Sequence, residues 1–298
     1  MFKIDKGAVM NALAGFDIDQ IKKASDEIKK KKPEFTVMLD LYEKIFIAQE
    51  KARKIVSLPE FNISQEKLSV QHEEKFPLVD ISQFSIDQEV SESLFNELCD
   101  ILTADENELS AAVVSIKLLS DEKKIDLNKL FTAFFKEDES LFDEAEVKYS
   151  IDKEILGFLI YNALQPSLVS FSEMISVNLD SDNDWEKGYC PVCGSMPELS
   201  LFEENGKRFL VCGFCGHKWG SKRIYCPFCE NSNHETLQYY DIDSEEEYRV
   251  DVCEKCKKYI KTIDIKKTSR TVYPPLEIRS TPYIDVKLEE MGYKKGNE

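Results

Sequence analysis

The sequence predicts an α+β protein: an α-helical N-terminal domain, two small β modules that each carry a four-cysteine metal site, and a short C-terminal helix. Three observations predict it. Residues 1–184 contain no cysteine pair and few glycines, and their apolar residues recur at helical period. Eight of the nine cysteines then fall into four C-x-x-C pairs. Between the pairs the texture changes to short β-type runs, and Arg208-Phe209-Leu210-Val211 and Tyr248-Arg249-Val250-Asp251-Val252 each lead straight into a pair.

The helices are expected as follows. In residues 34–56, Phe35, Met38, Leu39, Tyr42, Ile45, Phe46 and Ala52 lie near helical spacing, with Pro33 just before the run. Segment 57–87 has mixed signals, including Pro59 and Pro77, and reads as a long connection. Thr103 and Glu106 have capping-box spacing ahead of Ala111, Val114, Ile116 and Leu118. A strong helix is expected over 152–165, ended by Pro166. The acidic run 180–188 marks a boundary and gives three units: helical residues 1–184, a first metal-ribbon module at 185–224, and a second at 225–298. The second closes with Thr281-Pro282 as N-cap and N1 of a helix with Ile284, Leu288 and Met291 on one face, stopped by Gly292.

Two residues between cysteines let a tight turn aim both sulfurs at one ion while backbone N–H groups face them. Sequential pairing gives one site as Cys190, Cys193, Cys212 and Cys215, and another as Cys226, Cys229, Cys253 and Cys256. Interleaved pairing demands more chain crossing, though spacing alone leaves it open. A disulfide framework is disfavoured in a reducing compartment. Thioredoxin-like chemistry would need a metal-free pair opening a helix in a βαβ unit, and none is visible. The metal is zinc or iron, which tetrahedral sulfur geometry does not separate. Cys99, among Leu94, Phe95, Leu98, Ile101 and Leu102, reads as a small core residue. His217 and His234 read as solvated loop residues. No nucleophilic triad and no glycine-rich phosphate loop is recognisable, so the chain carries no evident catalytic or cofactor-binding residue.

Net charge is −17, carried almost entirely by residues 1–189, with 22 basic against 38 acidic residues. Residues 190–298 balance at 17 against 18, whereas a tail that gripped phosphates should be strongly basic. Lys255, Lys257, Lys258, Lys261, Lys266 and Lys267 are expected to solvate a strand and offset thiolate charge. No run approaches the roughly 18 apolar residues of a membrane span. The N-terminus lacks a secretory pattern, which points to the cytoplasm.

The strings Tyr189-Cys190-Pro191-Val192-Cys193-Gly194-Ser195-Met196-Pro197 and Arg208-Phe209-Leu210-Val211-Cys212-Gly213-Phe214-Cys215 resemble the formate dehydrogenase accessory proteins of FdhE type. Trp219, Arg223, Cys226 and Cys229 extend the resemblance, as do Val252 to Lys261 and the closing Leu288 to Tyr293. It covers residues 185–295, while the helical part is similar only in length and character. The resemblance implies rubredoxin/zinc-ribbon-like modules in a non-catalytic cytoplasmic maturation factor. Its partner would be the catalytic subunit of a molybdenum- or tungsten-dependent formate dehydrogenase, and its two four-cysteine sites would hold iron of rubredoxin type, with zinc the alternative. An electron carrier with two rubredoxin-like centres and a nucleic-acid-binding ribbon are the alternatives. Homodimerisation stays open.

Overall fold

The computed structural model describes residues 16–104, 108–179, 185–243 and 245–296. Helix α1 (Ile18–Lys31) opens on a reciprocal cap, Gln20 N–H to Asp17 Oδ1 at 2.8 Å and Asp17 N–H to Gln20 Oε1 at 2.9 Å. Its buried face is Ile21, Ala24, Ser25 and Ile28, the i, i+3, i+4, i+7 stripe of an amphipathic helix. A 3₁₀ turn over Pro33–Phe35 leads into α2 (Thr36–Arg53), which buries Leu39, Ile45 and Phe46 from the expected run. Helices α4 (Gln88–Leu102), α5 (Glu108–Asp121), α6 (Leu127–Phe135) and α7 (Ser140–Tyr149) follow a shorter α3 (Gln65–Glu74). Helix α8 (Lys153–Ser176) runs through the body and packs on α2, α4, α6 and α7.

Three expectations change here. Segment 57–87 is not all connection: Ser64 caps α3 by accepting from Lys67 N–H at 3.2 Å. That helix buries only Gln71, so no apolar period announced it. Thr103 does not open a helix but ends α4, its hydroxyl donating back to Cys99 O at 2.8 Å; Glu106 lies outside the described residues.

Pro166 does not stop α8, which continues ten residues further to Ser176. A mid-helix proline removes one N–H and orphans the carbonyl four residues earlier, here that of Asn162. Gln49 of α2 supplies the missing donor, its Nε2 reaching Asn162 O at 3.0 Å and Asn162 Oδ1 at 3.1 Å. Gln49→Leu is expected to destabilise the protein by about 1–3 kcal/mol, the cost of a buried carbonyl left unmatched. Chemical denaturation checks this, and an unchanged midpoint would show that the proline site needs no outside donor. The continued helix has 24 residues and by length and composition could cross a membrane, unlike any run read from the sequence. Within the fold, 67% of its most apolar window is buried.

After α8 the chain builds one twisted sheet from two antiparallel meanders. The first comprises β1 (Pro197–Phe202), β2 (Arg208–Cys212) and β3 (Lys218–Ser221). The second comprises β4 (Leu237–Asp241), β5 (Tyr248–Cys253) and β6 (Lys258–Asp264). They join where β1 runs parallel to β6, Leu199 opposite Lys261 and Phe202 opposite Asp264, giving the order β3-β2-β1-β6-β5-β4. A two-residue β7 (Lys294–Lys295) lies beside β6.

Two short helices, α9 (Pro274–Arg279) and α10 (Pro282–Glu290), lie between β6 and β7 where one was expected. Ile284 and Leu288 of α10 pack on Val250, Val252 and Tyr259, and Gly292 takes the left-handed φ of +86° that ends the helix. Met291, by contrast, is exposed. Thr281 makes no cap bond to α10, because its hydroxyl donates back to Glu277 O of α9 at 2.8 Å. Lys261 is not a solvating residue either. It is buried and donates to Asp285 Oδ2 at 2.8 Å, since β6 is covered on both faces and Tyr259 to Ile263 are all buried.

Candidate metal centres

Each cysteine pair is built by the same turn. The residue after the second cysteine donates its N–H to the carbonyl of the first: Gly194 to Cys190 at 2.9 Å, Gly216 to Cys212 at 3.3 Å, Glu230 to Cys226 at 2.9 Å and Lys257 to Cys253 at 2.8 Å. All four stand at positive φ, between 57° and 79°. Glycine meets that requirement freely in the first two turns. Glu230 and Lys257 carry it at a cost of roughly 1–2 kcal/mol each.

In each module one pair precedes the meander and the other sits at a hairpin, where the middle strand delivers it: β2 ends at Cys212 and β5 at Cys253. Folding therefore brings Cys190, Cys193, Cys212 and Cys215 together, and separately Cys226, Cys229, Cys253 and Cys256. Within each group the sulfurs all lie within 4.8 Å of one another. The grouping is sequential, not interleaved.

The spacing tests whether a metal fits. Four sulfurs about 2.3 Å from a central ion form a tetrahedron with edges of about 3.8 Å. In the first group Cys190–Cys215 is 3.8 Å, Cys193–Cys212 is 3.5 Å and Cys193–Cys215 is 3.6 Å. In the second, Cys226–Cys256 and Cys229–Cys253 are both 3.7 Å. These separations are far beyond the roughly 2 Å of a disulfide bond, and none of the nine cysteines is disulfide-bonded. Both groups fit one tetrahedral ion each.

The electrostatics agree. Burial pushes the Cys190 and Cys212 thiols well up, while hydrogen bonding with the sulfurs of Cys190, Cys212 and Cys215 holds Cys193 well down. A buried sulfur quartet of this kind ionises fully only around a cation. In the second group burial opposes ionisation of Cys253. The N–H donors of Cys256 and Lys255 and the Asn231 amide outweigh it and bring that thiol to about 7. Burial drives Cys256 up to about 11.

The two centres differ in setting. All four cysteines of the first are buried in the same core as the helices. Leu78 N–H donates to Pro191 O at 2.9 Å and Val79 N–H to Val192 O at 3.0 Å, so a segment of the helical half pairs with the turn itself. Tyr189 Oη donates to Lys75 O at 2.8 Å, and Tyr161 Oη to Gly213 O at 3.1 Å. Helix α8 adds Ser172, whose hydroxyl donates to Cys215 Sγ at 3.4 Å. The second centre lies toward the sheet's other end with Cys229 and Cys256 half-buried, and Asn231 Nδ2 donates to Cys253 Sγ at 3.6 Å.

Ser172 and Asn231 were not foreseen, because nothing in the C-x-x-C spacing points to them. His217 is not a loop residue in solvent: it is 1% exposed, and burial lowers its pKa to about 4. It begins the inward alternation that Trp219 continues in β3, which residue type alone could not indicate. His234 is exposed, and Cys99 is fully buried with its thiol pushed up to about 12 by burial.

Among known proteins, residues 189–223 match the family described as FdhE, central domain. A protein FdhE homolog of Aquifex aeolicus is 35% identical over 150 residues, covering 49% of this chain and 51% of its own length. Protein FdhE of Escherichia coli is 28% identical over 142 residues, 46% of this chain and 45% of its own. The chain thus spans about half the length of the curated relatives it matches. The crystal structure of the FdhE protein from Pseudomonas aeruginosa superposes with a TM-score of 0.64 at 19% identity, over 95% of both chains, and so shares the fold. In its central cysteine module, in its relatives over that half and in its overall fold, the chain is similar to FdhE-type proteins.

Proposed function

We propose that this chain is a non-catalytic, cytoplasmic accessory factor that binds the catalytic subunit of a molybdenum- or tungsten-dependent formate dehydrogenase during its maturation. Cys190, Cys193, Cys212 and Cys215 hold one metal ion, and Cys226, Cys229, Cys253 and Cys256 hold the other. In this reading residues 1–184 are the scaffold, and the modules at 185–224 and 225–298 form a rigid recognition surface.

The observation that carries the reading is closure. Four sulfurs complete each tetrahedral shell, which leaves no position for a reacting water or substrate. Such sites fix chain segments in place, and the first fixes the sheet to the helices. Iron is the metal the resemblance favours and zinc the alternative; the sulfur geometry accepts both. Purification of the tagged protein from its own host under anaerobic conditions, with mass spectrometry of what co-purifies, tests the partner. Enrichment of a formate dehydrogenase catalytic subunit over a tag-only control is the expected result, and its absence overturns the reading.

One observation favours electron transfer as a second reading: the half-buried Cys229 and Cys256 bring the second centre near the surface. Zinc in both sites of anaerobically purified protein would end it. The near-neutral charge of residues 190–298 argues against nucleic acid as a partner.

A further inference from the structure

Away from the sulfurs, a cleft of about 660 Å³ opens where the turn between α6 and α7 and the start of α8 meet the first cysteine turns. Its floor includes Phe134 and Phe214, stacked with centroids 6.2 Å apart and planes 13° from parallel. Its rim carries Glu137, Asp138, Glu139 and Glu154, all exposed. The one lysine in the lining, Lys153, is already engaged, 2.7 Å from Asp143 and 4.0 Å from Glu139. The cleft is therefore apolar below and anionic above.

Gly157 adds an independent sign that the space is kept open. It lies inside α8, where glycine costs about 0.5–1 kcal/mol relative to alanine. Neither a positive φ nor close packing requires it there, since a Cβ built at this position meets nothing within 4 Å. Its effect is to leave the wall of the cleft bare.

We propose that this cleft seats a polypeptide segment that carries both apolar and Lys/Arg side chains. The rings take the apolar groups, and the rim carboxylates take the cations. A simple cation or polyamine would use the rim and leave the ring floor unused. A seated segment would also touch two residues that contact the first centre. Phe214 donates its N–H to Cys212 Sγ at 3.4 Å, and Ser195, another wall residue, lies 3.4 Å from Cys193 Sγ. That such a segment comes from a client protein rests on the reading above; the occupancy of the cleft does not.

The test uses full-length, metal-loaded protein and a fluorescein-labelled decapeptide alternating Lys with Leu and Phe, followed by anisotropy. Wild type should bind it at least tenfold more tightly than the same peptide with Lys replaced by Glu. Gly157→Phe should weaken binding about tenfold, or roughly 1.4 kcal/mol, at unchanged or higher thermal stability. Gly157→Ala should keep binding and raise stability. Glu137→Lys with Glu139→Lys should weaken binding by a similar factor. The same reversals at exposed Glu66 and Glu73 on α3 should leave it within about twofold, which separates the cleft from the general acidity of the chain. Equal binding of both peptides, or wild-type affinity in Gly157→Phe, overturns the proposal. Failure here with a formate dehydrogenase still recovered from the host would remove the cleft and leave the accessory role standing.

Discussion

Cys190→Ser is expected to abolish the cooperative fold of the whole chain, whereas Cys256→Ser should leave a folded helical body with a loosened second module. Each variant removes one thiolate from a closed shell. A structural four-thiolate site contributes on the order of 10–16 kcal/mol apparent where zinc has been used as the probe. That is comparable to the roughly 5–15 kcal/mol that separates most folded domains from their unfolded chains. What distinguishes the sites is where the loss falls. Cys190 shares a core with α2, α4, α6 and α8, and the turn it opens pairs through the backbone with Leu78 and Val79. The second centre holds mainly β4, β5 and the start of β6, and two of its cysteines are already half-buried. Metal content and thermal unfolding by circular dichroism check this. Cys256→Ser should retain one ion and the helical transition, and Cys190→Ser should lose that transition. Equal loss in both variants would mean that the two centres stabilise a single indivisible unit.

The features legible in the sequence are those decided within a few residues. A C-x-x-C turn closes on itself through one backbone bond and one positive φ, so Gly194 and Gly216 announced it, and the lower chain-crossing demand favoured the sequential grouping that the fold shows. Helices with a strong apolar stripe, such as that of Leu39, Ile45 and Phe46, were equally plain. Features set by distant partners were not. Pro166 obeys the local rule against helix interiors, and only Gln49, on another helix, overrides it. The parallel pairing of β1 with β6 joins segments some sixty residues apart and fuses two ribbons into one sheet; neither strand bears a mark of it. His217 and Lys261 look like surface residues by type; His217 is buried by the face on which it falls, and Lys261 because β6 is covered on both faces. The cleft beside the first centre needs three helices and a turn before it exists at all.

A buried charge cluster in the C-terminal half is tied to helix α1, and breaking one side of it is expected to cost about 3–5 kcal/mol. Arg270 donates to both oxygens of Glu277, which is fully buried, and also to Glu247 at 3.4 Å and Tyr248 Oη at 2.8 Å. Lys31 of α1 reaches Glu247 at 2.6 Å, and Glu27 accepts from Thr271 N–H at 2.9 Å, so α1 is bound into the same network. Arg270→Met leaves the Glu277 carboxylate buried without its cation, and Glu277→Gln leaves the guanidinium half-matched. Either change should lower the melting temperature by roughly 10 °C, while the double variant Arg270→Met/Glu277→Gln should lose much less than the sum. The pH dependence follows from Glu247. Burial pushes its carboxyl up, but donation from Lys31 and its own backbone, with the charges of Lys31 and Arg270, outweighs this and holds it below the usual glutamate value. A carboxyl whose folded value is depressed contributes its full stability above the unfolded value near 4.5 and loses it as pH falls through the folded one. Wild type should therefore lose stability steadily below about pH 4.5, and Glu247→Gln should flatten that slope while lowering stability at pH 7. An unchanged slope in Glu247→Gln would assign the acid sensitivity to other groups and reduce this cluster to a packing contact.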